Sequence, residues 1–158
     1  MQHKALSKLN PNSINTIRMV TINKNGNVYV LAKLLRVGTK KTGNVDNTSK
    51  GGIAIGIAND GKLKKYGFQK PAYGGKTIEH PDTKVIFENY QIPFYEEAKQ
   101  LVKKAHKYFY NITSIGWDIA ITPNGPTIIE GNDNWENGLL QVTDRGLKRD
   151  WKEVVKRN

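Results

Sequence analysis

Residues 116–132, Gly-Trp-Asp-Ile-Ala-Ile-Thr-Pro-Asn-Gly-Pro-Thr-Ile-Ile-Glu-Gly-Asn, constrain the fold more than any other stretch of this chain. Two short apolar runs flank a Pro-Asn-Gly-Pro turn, the pattern of a β-hairpin. Oxygen-bearing side chains fall at three places in it. Asp118 sits on the first strand, and Glu130 and Asn132 end the second. Residues two apart on a strand share a face, so Glu130 and Asn132 project together, and the hairpin folds Asp118 back towards them. Oxygen ligands without His or Cys suit a hard cation such as Mg²⁺. The plainer alternative is a set of solvated or capping groups at strand ends. Against it, Asp118 lies among Ile115, Trp117, Ile119 and Ile121, and Glu130 closes the run Ile128-Ile129. A carboxylate left unpaired in such surroundings is costly. No Arg or Lys occurs between Ser114 and Asp144, so the expectation is a metal ion as the missing counter-charge. A basic partner for each carboxylate would remove that need.

Composition narrows the function classes. At 158 residues, 37% of them hydrophobic, the chain is one domain with enough apolar side chains for a core. With no cysteine there is no disulfide framework, no thiol nucleophile and no Cys-type zinc site. No apolar run approaches a membrane span, and the first residues lack the apolar centre of a signal peptide. A cytoplasmic protein is the expectation. The net charge of +11 raises the question of nucleic acid. Yet 20 of the 25 cationic residues are Lys, scattered in runs no longer than two, and only 5 are Arg. Specific readout favours the bidentate guanidinium, so a specific nucleic-acid partner is not expected.

Periodicity predicts strands over 14–22 and 28–37, joined by the turn Asn23-Lys24-Asn25-Gly26-Asn27, then a mobile loop over 38–50. Further strands are read over 53–58 and 62–68. Residues 1–13 and 69–83 read as irregular, and 84–90 as a short strand or loop. A helix opens at Pro93, with Ala98, Leu101, Val102, Ala105, Tyr108 and Phe109 at spacings of three and four. A second helix is read over 145–157. Strands meandering through hairpins, with helices late in the chain, predict an α+β fold: a mainly antiparallel sheet with two principal helices.

Arg18 and Arg36 fall on or at the end of predicted strands, where a fixed guanidinium can bind phosphate; a surface salt bridge is the alternative. Asn47 with Gly51-Gly52 suits a loop whose amides approach an anion, or else an ordinary flexible loop. His80 and Asp82 are candidate substrate groups, though a polar loop explains them as well. His3 and His106 read as surface or partly packed, and Trp117 and Trp135 as packing residues.

The hairpin pattern G-W-D-I-A-I…G-P-x-I-I-E-G-N resembles the metal-binding end of the ATP-grasp ligases, in particular the sugar-transfer-associated branch. Further matches follow in order: Ser13-Ile14-Asn15-Thr16-Ile17-Arg18-Met19-Val20-Thr21, Leu35-Arg36-Val37-Gly38, Val45-Asp46-Asn47 with Gly51-Gly52-Ile53, and His80-Pro81-Asp82-Thr83. The resemblance implies ATP and Mg²⁺, with room for two ions, held by Asp118, Glu130 and Asn132. It implies phosphate or acyl-phosphate contacts from Arg18 and Arg36, and nucleotide contacts from Arg18, Asn47, Gly51 and Gly52. It implies phosphoryl transfer to a carboxylate substrate and attack by an amine or related nucleophile, in a family associated with polysaccharide or cell-envelope biosynthesis. A full ATP-grasp enzyme clamps ATP between two lobes. Residues 1–158 resemble the C-terminal one, with the N-terminal, lysine-bearing lobe absent. Some relatives carry an Arg two places before the metal Asp, where this chain has Gly116. A non-catalytic remnant that keeps the fold is the alternative function, and a basic nucleic-acid-binding domain a lesser one.

Overall fold

Asn25 and Gly26 both take positive φ, 51° and 82°, the geometry of a two-residue hairpin turn. They join β1 (Thr16–Lys24) to β2 (Asn27–Val37), whose residues pair antiparallel from Lys24↔Asn27 to Thr16↔Arg36. In the computed structural model, which describes residues 1–46, 48–70, 72 and 74–155, this hairpin is the middle of a seven-stranded sheet. The other strands are β3 (Ile53–Ile57), β4 (Leu63–Phe68), β5 (Lys76–Thr77), β6 (Ser114–Thr122) and β7 (Gly125–Asn132). Their order is β5-β4-β3-β2-β1-β6-β7 and every pairing is antiparallel. The α+β expectation holds.

Alternation along the strands makes two faces, and both are covered. Ile17, Met19, Leu35, Ile55, Trp117 and Ile119 pack in a large core with α1 (Lys4–Leu9) and α2 (Tyr95–Lys107). On the other face Val20, Ala32, Leu34 and Ala54 form a smaller core with Leu140 of α3 (Gly138–Thr143) and with Leu147, just before α4 (Lys148–Val155). At about 25 cal/mol per Å² of apolar burial, the first face contributes most of the hydrophobic stabilisation, since far more side chains meet there. No helix among the described residues is long and apolar enough to cross a membrane.

Several local expectations change. Residues 4–9 are helical rather than irregular, because Leu6 and Leu9 bury completely against the sheet while His3 accepts the Ala5 N–H at the helix start. The long helix begins at Tyr95, two residues after Pro93, with Phe94 at φ 54°. Residues 84–90, read as a short strand or loop, are a loop carrying the isolated bridge Glu79↔Ile86. His106 is fully buried rather than superficial: its Nδ1 lies 2.6 Å from the Thr21 hydroxyl and its Nε2 2.9 Å from the Ile112 carbonyl.

Candidate functional site

Arg18 on β1 is the register partner of Asp118 on β6, so the two side chains stand side by side on the smaller-core face. The Arg18 guanidinium grips the Asp118 carboxylate through both Nε and Nη2, the latter at 2.9 Å. Arg36, from the far end of β2, adds an Nη2 donor to Asp118 Oδ2 at 2.8 Å. The counter-charge expected to be a metal is therefore supplied, for Asp118, by two arginines from strands distant in sequence. Asp118 is 4% exposed. Burial works to raise its pKa, but the Arg18 hydrogen bonds and the charges of Arg36 and Arg18 outweigh that and hold it below the ordinary carboxylate value.

Glu130 reaches the same place through a bulge. Asp118 pairs with Glu130 but Ile119 pairs with Ile128, so Ile129 is a surplus residue in β7. Ile128 packs into the large core, whereas Ile129 is 53% exposed. Without the extra residue, Glu130 would share the Ile128 face and enter the apolar core. With it, Glu130 faces Asp118 across the β6–β7 pairing. Asn132 points the same way and donates from Nδ2 to Glu130 Oε1 at 3.0 Å. Asp118 and Glu130 are thus register partners, Asn132 is bonded to Glu130, and the carboxylates turn away from the isoleucines beside them. Among the described residues Glu130 has no ion pair.

Sequence reasoning missed Thr16, Asp46 and Glu136. The Thr16 hydroxyl and backbone N–H both donate to Asp46, and that hydroxyl accepts from Arg36 at 3.0 and 2.7 Å. Arg36 Nε also lies 3.5 Å from Asp46. Arg18, Arg36, Thr48 and Glu136 line a cavity of about 220 Å³. Acidic residues in turn-rich loops are common, and nothing in their spacing marks Asp46 or Glu136. The Gly51 N–H does not face open space, since it donates to Thr48 at 3.3 Å, and Gly51 carbonyl oxygen accepts from Gln69. Gly52 is buried just before β3, and Asn47 lies outside the described residues. His80 is fully buried: Nδ1 accepts from the Asp82 and Thr83 amides, so Nε2 donates to the Gly38 carbonyl at 2.8 Å. Asp82 caps the Lys40 amide. Both hold loops together.

The oxygen set leaves few free directions on Asp118. An ionised carboxylate has about four lone-pair sites. Arginine donors fill three on Asp118, leaving one on Oδ1. With Arg18 and Arg36 set against Asp46, Asp118 and Glu130, the cluster has two positive charges against three negative ones. Among the described residues no three His, Cys, Asp or Glu side chains gather to hold an ion, so two carboxylates and an amide are what is available.

The sugar-transfer-associated ATP-grasp family model matches residues 1–156. The chain belongs to that family. An ATP-dependent, ligase-like function and nucleotide binding follow at the family level. Neither a curated protein nor a solved structure matches the chain.

Proposed function

We propose that this ATP-grasp domain carries the metal- and phosphate-binding part of an ATP-dependent carboxylate–amine ligase, acting on substrates of polysaccharide or cell-envelope assembly. The observation that supports this most is the line Arg36–Asp118–Glu130 across the sheet, with Arg18 and Arg36 opening onto one cavity. Arg18 and Arg36 would hold the transferring phosphate, with the loop of Asn47, Gly51 and Gly52 beside it. Asp118, Glu130 and Asn132 would hold Mg²⁺. Bound Mg²⁺ supplies the charge that neutralises the phosphates.

In the transfer, a substrate carboxylate oxygen bonds to the γ-phosphorus, the bond to the β-phosphate oxygen breaks, and ADP leaves. An amine then attacks the acyl carbon, the bond to phosphate breaks, and the nitrogen loses a proton as phosphate departs. The chain's own contribution is to fix the phosphate between two guanidiniums and to keep Asp118 ionised while it does so.

One observation favours a second reading. Asp118 is already neutralised by Arg18 and Arg36, as in a purely structural ion network. On that reading the chain is a non-catalytic interaction module. Calorimetric titration with ADP, with and without Mg²⁺, separates them. The ligase reading expects Mg²⁺-dependent binding that Glu130→Gln weakens by about tenfold or more. Binding that Glu130→Gln leaves untouched, or none at all, gives the module reading.

A further inference from the structure

The residues after Asn132 build a second cleft on the same face of the sheet. Its volume is about 410 Å³, within the range of small-molecule sites. Trp135 and Trp151 form its aromatic wall, with ring centroids 6.1 Å apart and planes crossing at 59°. Asn134, Asn137 and Gln141 are among its polar lining.

Trp135 is seated by design of the backbone beneath it. A Cβ on Gly116 would stand 2.6 Å from the Trp135 Cβ, so only glycine lets the indole lie on β6. Ser114, two residues further along the same face, accepts the Trp135 Nε1–H at 3.1 Å. With its one donor used, the indole has ring surface left for a ligand. The side chains of Asn134 and Asn137 have no hydrogen-bond partner among the described residues.

The cleft adjoins the arginine cavity. Trp135 lines one and Glu136, the next residue, lines the other. Gly116 pairs with Asn132, and Ser114 lies four residues from Asp118, about 13 Å along the strand. A ring seated in the cleft therefore needs a spacer of up to about 13 Å for its reacting group to meet Arg18.

We infer that this cleft binds the glycosyl ring of the ligase substrate, a sugar whose reacting carboxylate extends towards Arg18 and Arg36. A pyranose offers a C–H face to an indole, whose face is electron-rich, and a rim of hydroxyls that donate and accept. Carboxamides offer both functions in one plane, which suits neighbouring hydroxyls. The two indoles, 6.1 Å apart and crossing at 59°, sandwich no flat nucleobase and leave it a single ring face, so adenosine is the competing ligand. The substrate role rests on the ligase reading; the binding does not.

The chain has three tryptophans, and so three indole N–H signals in a ¹⁵N-correlated NMR spectrum. The ¹⁵N-labelled full chain is titrated, without nucleotide or Mg²⁺, with glucuronic acid and separately with adenosine. Glucuronic acid at millimolar concentration is expected to shift the Trp135 and Trp151 signals but not that of Trp117, which is buried on the opposite face. Trp151→Ala, checked for folding by an unchanged Trp117 signal, is expected to weaken binding by about tenfold. Asn137→Ala, at an exposed position, should weaken it in the same direction without touching the core. No sugar-dependent shift, shifts caused equally by adenosine, or affinity unchanged in both variants overturns the assignment. Glu130→Gln should leave the sugar shifts in place, so loss of nucleotide binding and loss of sugar binding are told apart.

Discussion

Asp118 takes three hydrogen bonds from two arginines and still has a direction open towards Glu130. That arrangement sets a testable acid limb. A carboxyl whose folded pKa lies below its unfolded value stabilises the protein fully above the unfolded value, and loses that contribution as pH falls through the folded one. Unfolding free energy should therefore decline as pH drops below about 3.8, and Asp118→Asn should flatten that part of the curve in chemical denaturation. Arg18→Ala leaves a buried carboxylate with one guanidinium. At neutral pH it should cost about 2–3 kcal/mol, read as a lower denaturation midpoint. The carboxylates and the arginines were each legible from the sequence, but not their pairing. Arg18 and Asp118 are 100 positions apart, and only the β1–β6 register makes them neighbours.

At the scale of the element, the deciding feature is the bulge in β7. Ile129 is exposed and replaceable as a side chain, but its backbone unit is not. Deleting it should turn Glu130 into the large core and cost several kcal/mol, whereas Ile129→Thr should stay within about 0.5 kcal/mol of the parent; thermal unfolding of both variants checks this. Gly116→Ala should displace Trp135, seen as a change in its indole signal, because the new methyl meets a side-chain root rather than a flexible tip. Hairpins with an Asn-Gly turn were readable because their residues dictate backbone geometry locally. The bulge was not: Ile128 and Ile129 look alike in sequence, and only partner strand β6 determines which is surplus. Helix α1 was hidden for a related reason. Six residues are too few for a periodic signal, and what holds them helical is the burial of Leu6 and Leu9.

Across the whole molecule, the sheet divides stability unequally. The large core fixes β1, β2 and β6 against α1 and α2, while α3 and α4 rest on a few side chains. Native-state hydrogen exchange should find the amides of β1, β2 and β6 opening only with global unfolding, and those of α4 opening at much lower free energy. The α+β class was legible because hairpin spacing and one strongly amphipathic helix leave few alternatives. Which face carries chemistry was not, since strands covered on both sides read as uniformly apolar. The five residues 133–137 then acquire a meaning of their own. Neighbours in that short link border two separate hollows, so under the proposed function acceptor preference and phosphate handling would share one piece of backbone. Exchanging one tryptophan would then disturb the arginine cavity as well, and a graft must carry the entire link together with the glycine beneath it.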